Sequence, residues 1–441
     1  MFKAQAQTAT KTAENLHKRQ KQAEKISLSK YFPKGSVYFY AFPAGEESNF
    51  YNAVPPWIEE LVAARPMICA GDDIKVLSFA APANPDLRNV LENECGLSLS
   101  HPERIIALSK NISSEVQGRE RNEIVKNNLA RLFSEKQLIM AQPFLDRNLK
   151  SAFQIDPELT IWLNDKKNLP YLVPSQYLPE RLAEFTSGSE FAAGGNLGTP
   201  CVVKVSSSSA GDGVRICQGE KSLDQARQDL KNLRGHILIE QYIRARDNYC
   251  VQFAIPYDPD QDIEIIGQNR QLISPAGEFL GAAVDQHDPN PTLADIYRVL
   301  EKYILPRVRA RGWYGIGGID VLVAENGEFY FIDANFRMTA TFAYVCQVKN
   351  GAIKKPLISF TGSFQGSLDE LKNIFAPHAV RGHANQILQM LSITKKQNSY
   401  WFNAGMLFDH PETVWENAQD LLKLGINSQV LANLAQKNNL V

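Results

Sequence analysis

Two stretches of this 441-residue chain place acids, an amide and cations at spacings that could hold a metal ion and phosphate. In GIGGIDVLVAENGEFYFIDANFR, Asp320 and Asp333 lie on either side of AENGE. That segment is a hairpin turn signal between two apolar runs. A hairpin there would bring both carboxylates to one end of adjacent strands. Beyond Asp333, polar residues occupy every second place: Asp333, Asn335, Arg337. A strand points alternate side chains to one face, and a buried strand avoids such groups unless something pairs with them. Two carboxylates and an amide oxygen form a hard-oxygen set suited to Mg²⁺, which keeps other positions for water and phosphate. The planar fork of Arg337 would neutralise a phosphate. A structural Asp–Arg pair at a strand exit would account for the same residues.

The second stretch is VVKVSSSSAGDGV. An apolar strand delivers Lys204, and a Ser/Gly segment follows in which Gly211 and Gly213 are free to take positive φ. Small residues let backbone N–H groups approach an anion, and the lysine adds a point charge for phosphate. No GxxxxGK[ST] loop is present, and a plain surface hairpin would account for the segment equally well. Further on, HILIEQYI reads as a buried strand that meets a turn at Glu240. Its backbone could face an adenine edge and its carboxylate a ribose; a strand leaving the core with a solvated glutamate is the plainer account.

These groups need elements to position them. SVYFYAF, IKVLSFAA, RIIAL and LTIWL read as strands, with a helix from about Pro56 between the first two. Strands separated by helices predict an α/β layer with a parallel sheet over 31–160. From about 161 the texture changes to paired strands: SPAG separates IIGQNRQLI from EFLGAAV, as AENGE separates GIDVLV from FYFID. Antiparallel pairing with covering helices reads as α+β. SLDQARQDLKNLRG predicts a helix opened by a Ser222–Gln225 capping box, its apolar stripe at Leu223, Ala226, Leu230 and Leu233. Another starts with Thr292-x-x-Asp295 and is kinked at Pro306. Residues 1–30, rich in Ala, Lys, Gln and Glu, read as a helical or disordered arm, and 351–441 as a C-terminal α/β segment.

Composition excludes several classes. With 44% hydrophobic and 22% charged residues the chain is globular, and at 441 residues it predicts two or three domains. A net charge of −1 provides no field that would recruit nucleic acid or a membrane, and no apolar run is long enough to span one. The six cysteines lack CxxC spacing and read as buried thiols of a cytoplasmic protein. The seven histidines form no HExxH set.

The order of these pieces (lysine, glycine-rich flap, hinge strand, metal-binding hairpin) resembles the ATP-grasp superfamily over roughly residues 160–345. The resemblance implies an N-terminal α/β domain followed by an ATP-grasp fold of two α+β subdomains, over about 161–350. It implies ATP and Mg²⁺, with Mn²⁺ as an alternative ion. Lys204 matches the strand lysine that contacts the phosphates, and Lys166 an earlier lysine with the same task. Ser206 to Gly213, including Ser208, Ser209, Gly211 and Gly213, match the flap. Glu240, Gln241, Tyr242 and Ile243 match the adenine–ribose hinge, with Asp247 a further ribose contact. Asp320, Asp333 and Asn335 match the metal ligands. Arg337 and Arg270 match the arginines that stabilise the acyl phosphate. Two departures stand out: Asp333 occupies a place where the family more often has Glu, and NFRMTAT replaces a Pro/Gly-rich continuation. Within the superfamily, QNRQLISPAGEFLGAAV and YWFNAGMLFD look most like the pheganomycin-type peptide ligases, with the butirosin-type carrier-protein ligases another relative. The implied activity is carboxylate–amine ligation through an acyl phosphate, releasing ADP and phosphate, on small carboxylate and amine substrates. Alternatives are a carrier-protein thiol or protein side chain as acceptor, and a non-catalytic nucleotide-binding module. A homodimer would fit the family.

Overall fold

A computed structural model describes residues 25–42, 56–79, 83–108, 118–195, 197–208, 211–274, 277, 279–375 and 387–436. Residues 1–24 of the expected arm and Ser209 of the expected flap lie outside the described residues. Three sheets carry the chain. The first is parallel, in the order β3-β2-β1-β4, with β1 at Val37–Phe39, β2 at Lys75–Ser78, β3 at Ile105–Ala107 and β4 at Leu138–Met140. All three residues of β1 are buried, the pattern of a parallel strand covered on both faces.

LTIWL is not a strand of this sheet. It lies in the helix Pro157–Leu163, where Asp156 accepts a hydrogen bond from the Glu158 N–H and Pro157 takes the first turn. Pro157, Thr160 and Leu163 are buried at helical spacing. The short apolar run read as a strand is therefore one face of a capped helix. The fourth strand is instead β4, three residues that sequence reasoning passed over.

The second sheet is antiparallel, β5-β8-β6-β7, with β5 at Arg181–Phe185, β6 at Cys201–Val205, β7 at Val214–Cys217 and β8 at Ile237–Gln241. Helix Glu220–Leu230 covers it through Leu223, Ala226 and Leu230. This helix starts one turn earlier than the sequence suggested. Gly219 is the cap, and Ser222 Oγ accepts from the Gly219 N–H at 3.2 Å. Ser222 therefore closes a capping arrangement from inside the helix and does not open one with Gln225.

The third sheet has nine strands: β9 (Ala245–Ile255), β10 (Glu264–Ile273), β11 (Phe279–Val284), β12 (Gly315–Ala324), β13 (Phe329–Asn335), β14 (Leu357–Gln365), β15 (Leu388–Lys396), β16 (Ser399–Leu407) and β17 (Ile426–Asn427). Its order is β13-β12-β9-β10-β11-β14-β16-β15, with β17 on β14. Strands beyond residue 350 thus extend the sheet that carries Asp320 and Asp333. One face packs on the helical segment 292–309. There Asn290 Oδ1 accepts from the Thr292 N–H, so Thr292 is not the cap. A wide turn at Leu300–Ile304 precedes Pro306 and absorbs the bond its ring cannot make. Residues 28–31 form a short helix with Leu28 and Tyr31 fully buried, so the described end of the arm is part of the core. All six cysteines are buried free thiols.

The helix Pro56–Ala63 brings Glu59 into the N-terminal core, where Arg121 Nε donates to it at 2.7 Å. Burial pushes Glu59 up to about 7, against the pull of Arg121. The folded state then binds this proton more tightly than the unfolded chain does. Stability from this group is present at low pH and falls as pH rises from about 4.5 to about 7. Glu59→Gln is expected to remove that fall. Its stability relative to wild type should rise by roughly 3 kcal/mol between pH 4 and pH 8 in urea unfolding followed by circular dichroism.

Candidate active site

In β12 and β13 the register sets Asp320 opposite Asp333 and Gly318 opposite Asn335. The next pair is Val321 with Phe331, so Ile332 is one extra residue on β13. Such a bulge re-aims the side chains on its two sides. Phe331, Ala334 and Phe336 face the core, and Asp333 and Asn335 face the other way. Counting by twos from Asp333 forward is right; counting back through Ile332 is not.

Like charges directly opposite one another are destabilising. Here they are held by partners on both sides. Gln271 Nε2 donates to Asp320 Oδ1 at 2.7 Å, and Asn335 Nδ2 approaches Asp320 Oδ2 at 3.5 Å. Lys166 Nζ lies 3.1 Å from Asp333 Oδ2 and donates to the Ser208 carbonyl at 2.6 Å. Burial, then the facing Asp333, push Asp320 up to about 7. Across the cleft, Lys204 Nζ sits 2.6 Å from Glu240 Oε2 and donates to the Ile332 carbonyl at 3.1 Å. Arg181 Nη2 reaches the other Glu240 oxygen at 3.2 Å. Burial would raise the Glu240 carboxyl, but Lys204 and then Arg181 outweigh it and hold it below its ordinary value. Both lysines thus tie the four-stranded sheet and its flap to the bulged edge of the nine-stranded sheet.

The flap joins β6 to β7. Gly211 has φ +81°, as its sequence suggested. Gly213 does not: it needs to be glycine because a Cβ there would lie 2.3 Å from Ser208 Oγ. Ser208 Oγ donates to the Val205 carbonyl at 2.9 Å, and Ser206 Oγ donates to Asp165. At the hinge, the Gln241 N–H is taken by the Glu180 carbonyl at 2.9 Å. Gln241 therefore has no N–H left for a base, and Tyr242 and Ile243 follow it half-buried.

Two expected residues are not brought here. Register places Arg270 opposite Tyr249 and Asn269 opposite Cys250, which itself faces Asp320. Arg270 therefore projects from the opposite face of the sheet. It lies 3.3 Å from Asp288 and 3.6 Å from Asp247, and donates to the Tyr249 hydroxyl at 3.1 Å. Asp247 is held in the same cluster by Arg246 and Asn290. The neighbour of Arg270, Gln271, has the parity that meets Asp320. Arg337 follows the end of β13. It is buried, donates to Asn164 Oδ1 at 2.6 Å and stands 5.5 Å from the Phe42 ring centroid. After it, Thr339 and Thr341 bond to Gln252 and Asn269 and fix the NFRMTAT segment on the sheet.

The residues that sequence reasoning missed are Gln271, Arg181 and Asn164. Gln271 was within reach of a strand-parity argument from Asp320. Arg181 and Asn164 carry no local signal, because their partners lie 59 and 173 positions away.

The family model described as L-aspartate--L-methionine ligase, ATP grasp, matches residues 186–335. These residues hold Lys204, the flap, the hinge and the Asp320–Asp333 hairpin. Over residues 186–335 the chain is of the ATP-grasp type. Among solved structures, its fold is similar to that of biotin carboxylase from Campylobacter jejuni (TM-score 0.53, 14% identity, 92% of this chain and 97% of that one). It is also similar to N5-carboxyaminoimidazole synthase from Aspergillus clavatus, solved with ADP and its ribonucleotide ligand (TM-score 0.51, 11% identity, 88% and 98% covered). L-amino acid ligase from Bacillus licheniformis is a third (TM-score 0.50, 13% identity, 90% and 100% covered). The small subunit of 2-oxoglutarate carboxylase from Hydrogenobacter thermophilus is 25% identical over 156 residues, 32% of this chain and 30% of that protein.

The ATP-grasp hairpin offers two carboxylates and an amide. Among the described residues no group of three or more His, Cys, Asp or Glu side chains converges on a metal position. A closed protein cage is therefore not what these residues make. Two opposed carboxylates suit Mg²⁺ completed by water and phosphate oxygens, and a divalent cation between them would offset their mutual repulsion. The donor set fits. Gly213 packs against Ser208 at the base of the segment joining β6 to β7, so Gly213→Ala is expected to weaken ATP binding about tenfold, or about 1.4 kcal/mol. Calorimetric titration with ATP would read this, and an unchanged Kd would remove the flap from the site.

Proposed function

We propose that this ATP-grasp protein is an ADP-forming carboxylate–amine ligase. The observation that carries the reading is the polar seam between two sheets, where Lys166 and Lys204 meet the hairpin that carries Asp320 and Asp333. The lysines bind phosphate oxygens of ATP. Asp320, Asp333 and Asn335 would hold Mg²⁺, which when bound draws charge from the phosphates. Glu240 and the hinge backbone at Tyr242 and Ile243 orient the nucleoside. Substrate carboxylate oxygen attacks the γ-phosphorus; the bond to the ADP oxygen breaks, and ADP leaves. An amine then attacks the acyl carbon and phosphate departs. Residues position the reactants and neutralise developing charge. Arg337, two residues past the end of β13 and held by Asn164, is the cation assigned here to the acyl phosphate. A cytoplasmic setting suits six free cysteines, and no helix among the described residues is long and apolar enough to cross a membrane.

The substrates named for the matching family, L-aspartate and L-methionine, are the first pair to try. ADP release is expected only when a carboxylate and an amine are both supplied, and hydroxylamine should trap the activated acyl group as a hydroxamate. Asp333→Ala should lower turnover by at least about 10³-fold, or ~4 kcal/mol, with an unchanged far-UV spectrum. Normal turnover by this variant in Mg²⁺ would refute the metal assignment.

A further inference from the structure

Lys166 meets Asp333, and Lys204 and Arg181 share Glu240. Arg337 breaks this rule. It is 8% exposed and, among the described residues, pairs with no carboxylate. A buried guanidinium without an anion is costly, and proteins ordinarily pair such groups. What holds Arg337 is a neutral amide: its Nη1 donates to Asn164 Oδ1 at 2.6 Å. The Tyr38 hydroxyl, close enough to feel the charge of Arg337, supplies no anion, because burial raises its pKa. It is occupied in accepting from the Met338 N–H at 3.1 Å. Nε and Nη2 of Arg337 bond to no described residue and are not closed off from solvent. One edge of the guanidinium is thus fixed, and the rest is left for an anion.

Asn164 is itself fixed in place. It ends the helix Pro157–Leu163 and is buried. Its Nδ2 donates to the Thr160 carbonyl at 2.7 Å, which turns Oδ1 the other way. There Oδ1 accepts from the Phe336 N–H at 3.0 Å as well as from Arg337. A carbonyl only accepts, and an N–H or a guanidinium only donates, so the amide can sit one way round. An aspartate has the same size and would grip Phe336 and Arg337 more strongly. It would also cancel the charge of Arg337 and set an acceptor against the Thr160 carbonyl. The next two residues belong to the nucleotide side. Asp165 accepts from Ser206 Oγ, and Lys166 Nζ donates to the Ser208 carbonyl. Arg337 is therefore placed from the same short segment that places Lys166.

We propose that Asn164 is a positioning residue of the ligase reaction: it aims Arg337 at the acyl phosphate without cancelling its charge. This rests on the ligase reading, from which its test can be separated. The assay is ADP release with hydroxylamine as acceptor and L-aspartate, or the most active of the other L-amino acids, as the carboxylate. Asn164→Ala should lower kcat at least about tenfold. Its Kd for ATP, by calorimetric titration, should stay within about threefold of wild type. Asn164→Asp keeps the grip on Arg337, so it should unfold at the same temperature as Asn164→Ala or higher. It should nevertheless be at least as slow. Adding Asn164→Ala to Arg337→Ala should cost no more than about a further twofold, because Asn164 acts through Arg337. Turnover by Asn164→Asp within about threefold of wild type would overturn the proposal. So would additive losses in the double variant, or a loss of ATP affinity that matches the loss of kcat. Failure of both single variants to fold would also overturn it, by making Asn164 a structural cap. Absence of ADP release from wild type with every carboxylate would strike the ligase reading, and the proposal with it.

Discussion

Two carboxylates stand face to face on adjacent antiparallel strands, and the rest of the site is arranged around that cost. Asp320 and Asp333 are register partners, so no backbone adjustment separates them. A bulge at Ile332 turns Asp333 to the side of Asp320 and leaves Phe331 in the core. Without the extra residue, one strand could not satisfy the core with Phe331, Ala334 and Phe336 and still present an acid to the cleft. The bulge also exposes the Ile332 carbonyl, which accepts from Lys204. One irregularity thus sets the acid pair and anchors a lysine of the opposing sheet.

That anchoring explains why two separate sheets act as one site. The four-stranded sheet has its own core beneath helix Glu220–Leu230, and the nine-stranded sheet has another against residues 292–309. Between them lie polar links: Lys204 to Ile332, and Lys166 to Asp333 and Ser208. Links of this kind open more readily than apolar packing, because water can replace each partner. A cleft closed by ion pairs rather than by a shared core is suited to admit a nucleotide and close on it.

The sequence made the hairpins legible because turn signals and apolar runs are local. AENGE and SPAG each join the strands expected, and Asp320 meets Asp333 as the spacing implied. Parity carried Asn335 correctly. It could have selected Gln271 over Arg270, since only alternate residues of β10 share a face with Asp320. LTIWL shows the limit of short apolar runs: five residues cannot distinguish a strand from one helix face, and the deciding signal was the Asp156–Pro157 cap. Gly213 was read as a source of conformational freedom when its task is close approach to Ser208, a contact that no local pattern encodes. Arg181 and Asn164 escaped because their roles come from partners distant in the chain.

The charges in the cleft also constrain how a ligand can enter. Lys166, Lys204 and Arg181 face Asp333, Glu240 and Asp320, three cations against three carboxylates. Before any ligand binds, the set is close to neutral, with Asp320 the least compensated member. A polyphosphate alone would draw the lysines from their acids and leave Asp320 and Asp333 repelling each other without a partner. A divalent cation alone would occupy the acids and leave Lys166 unpaired. Brought together, phosphate would take the lysines and the cation the carboxylates, so that each charge would keep a partner. Nucleotide and metal should therefore bind each more tightly in the presence of the other, as a consequence of pairings already built between the two sheets.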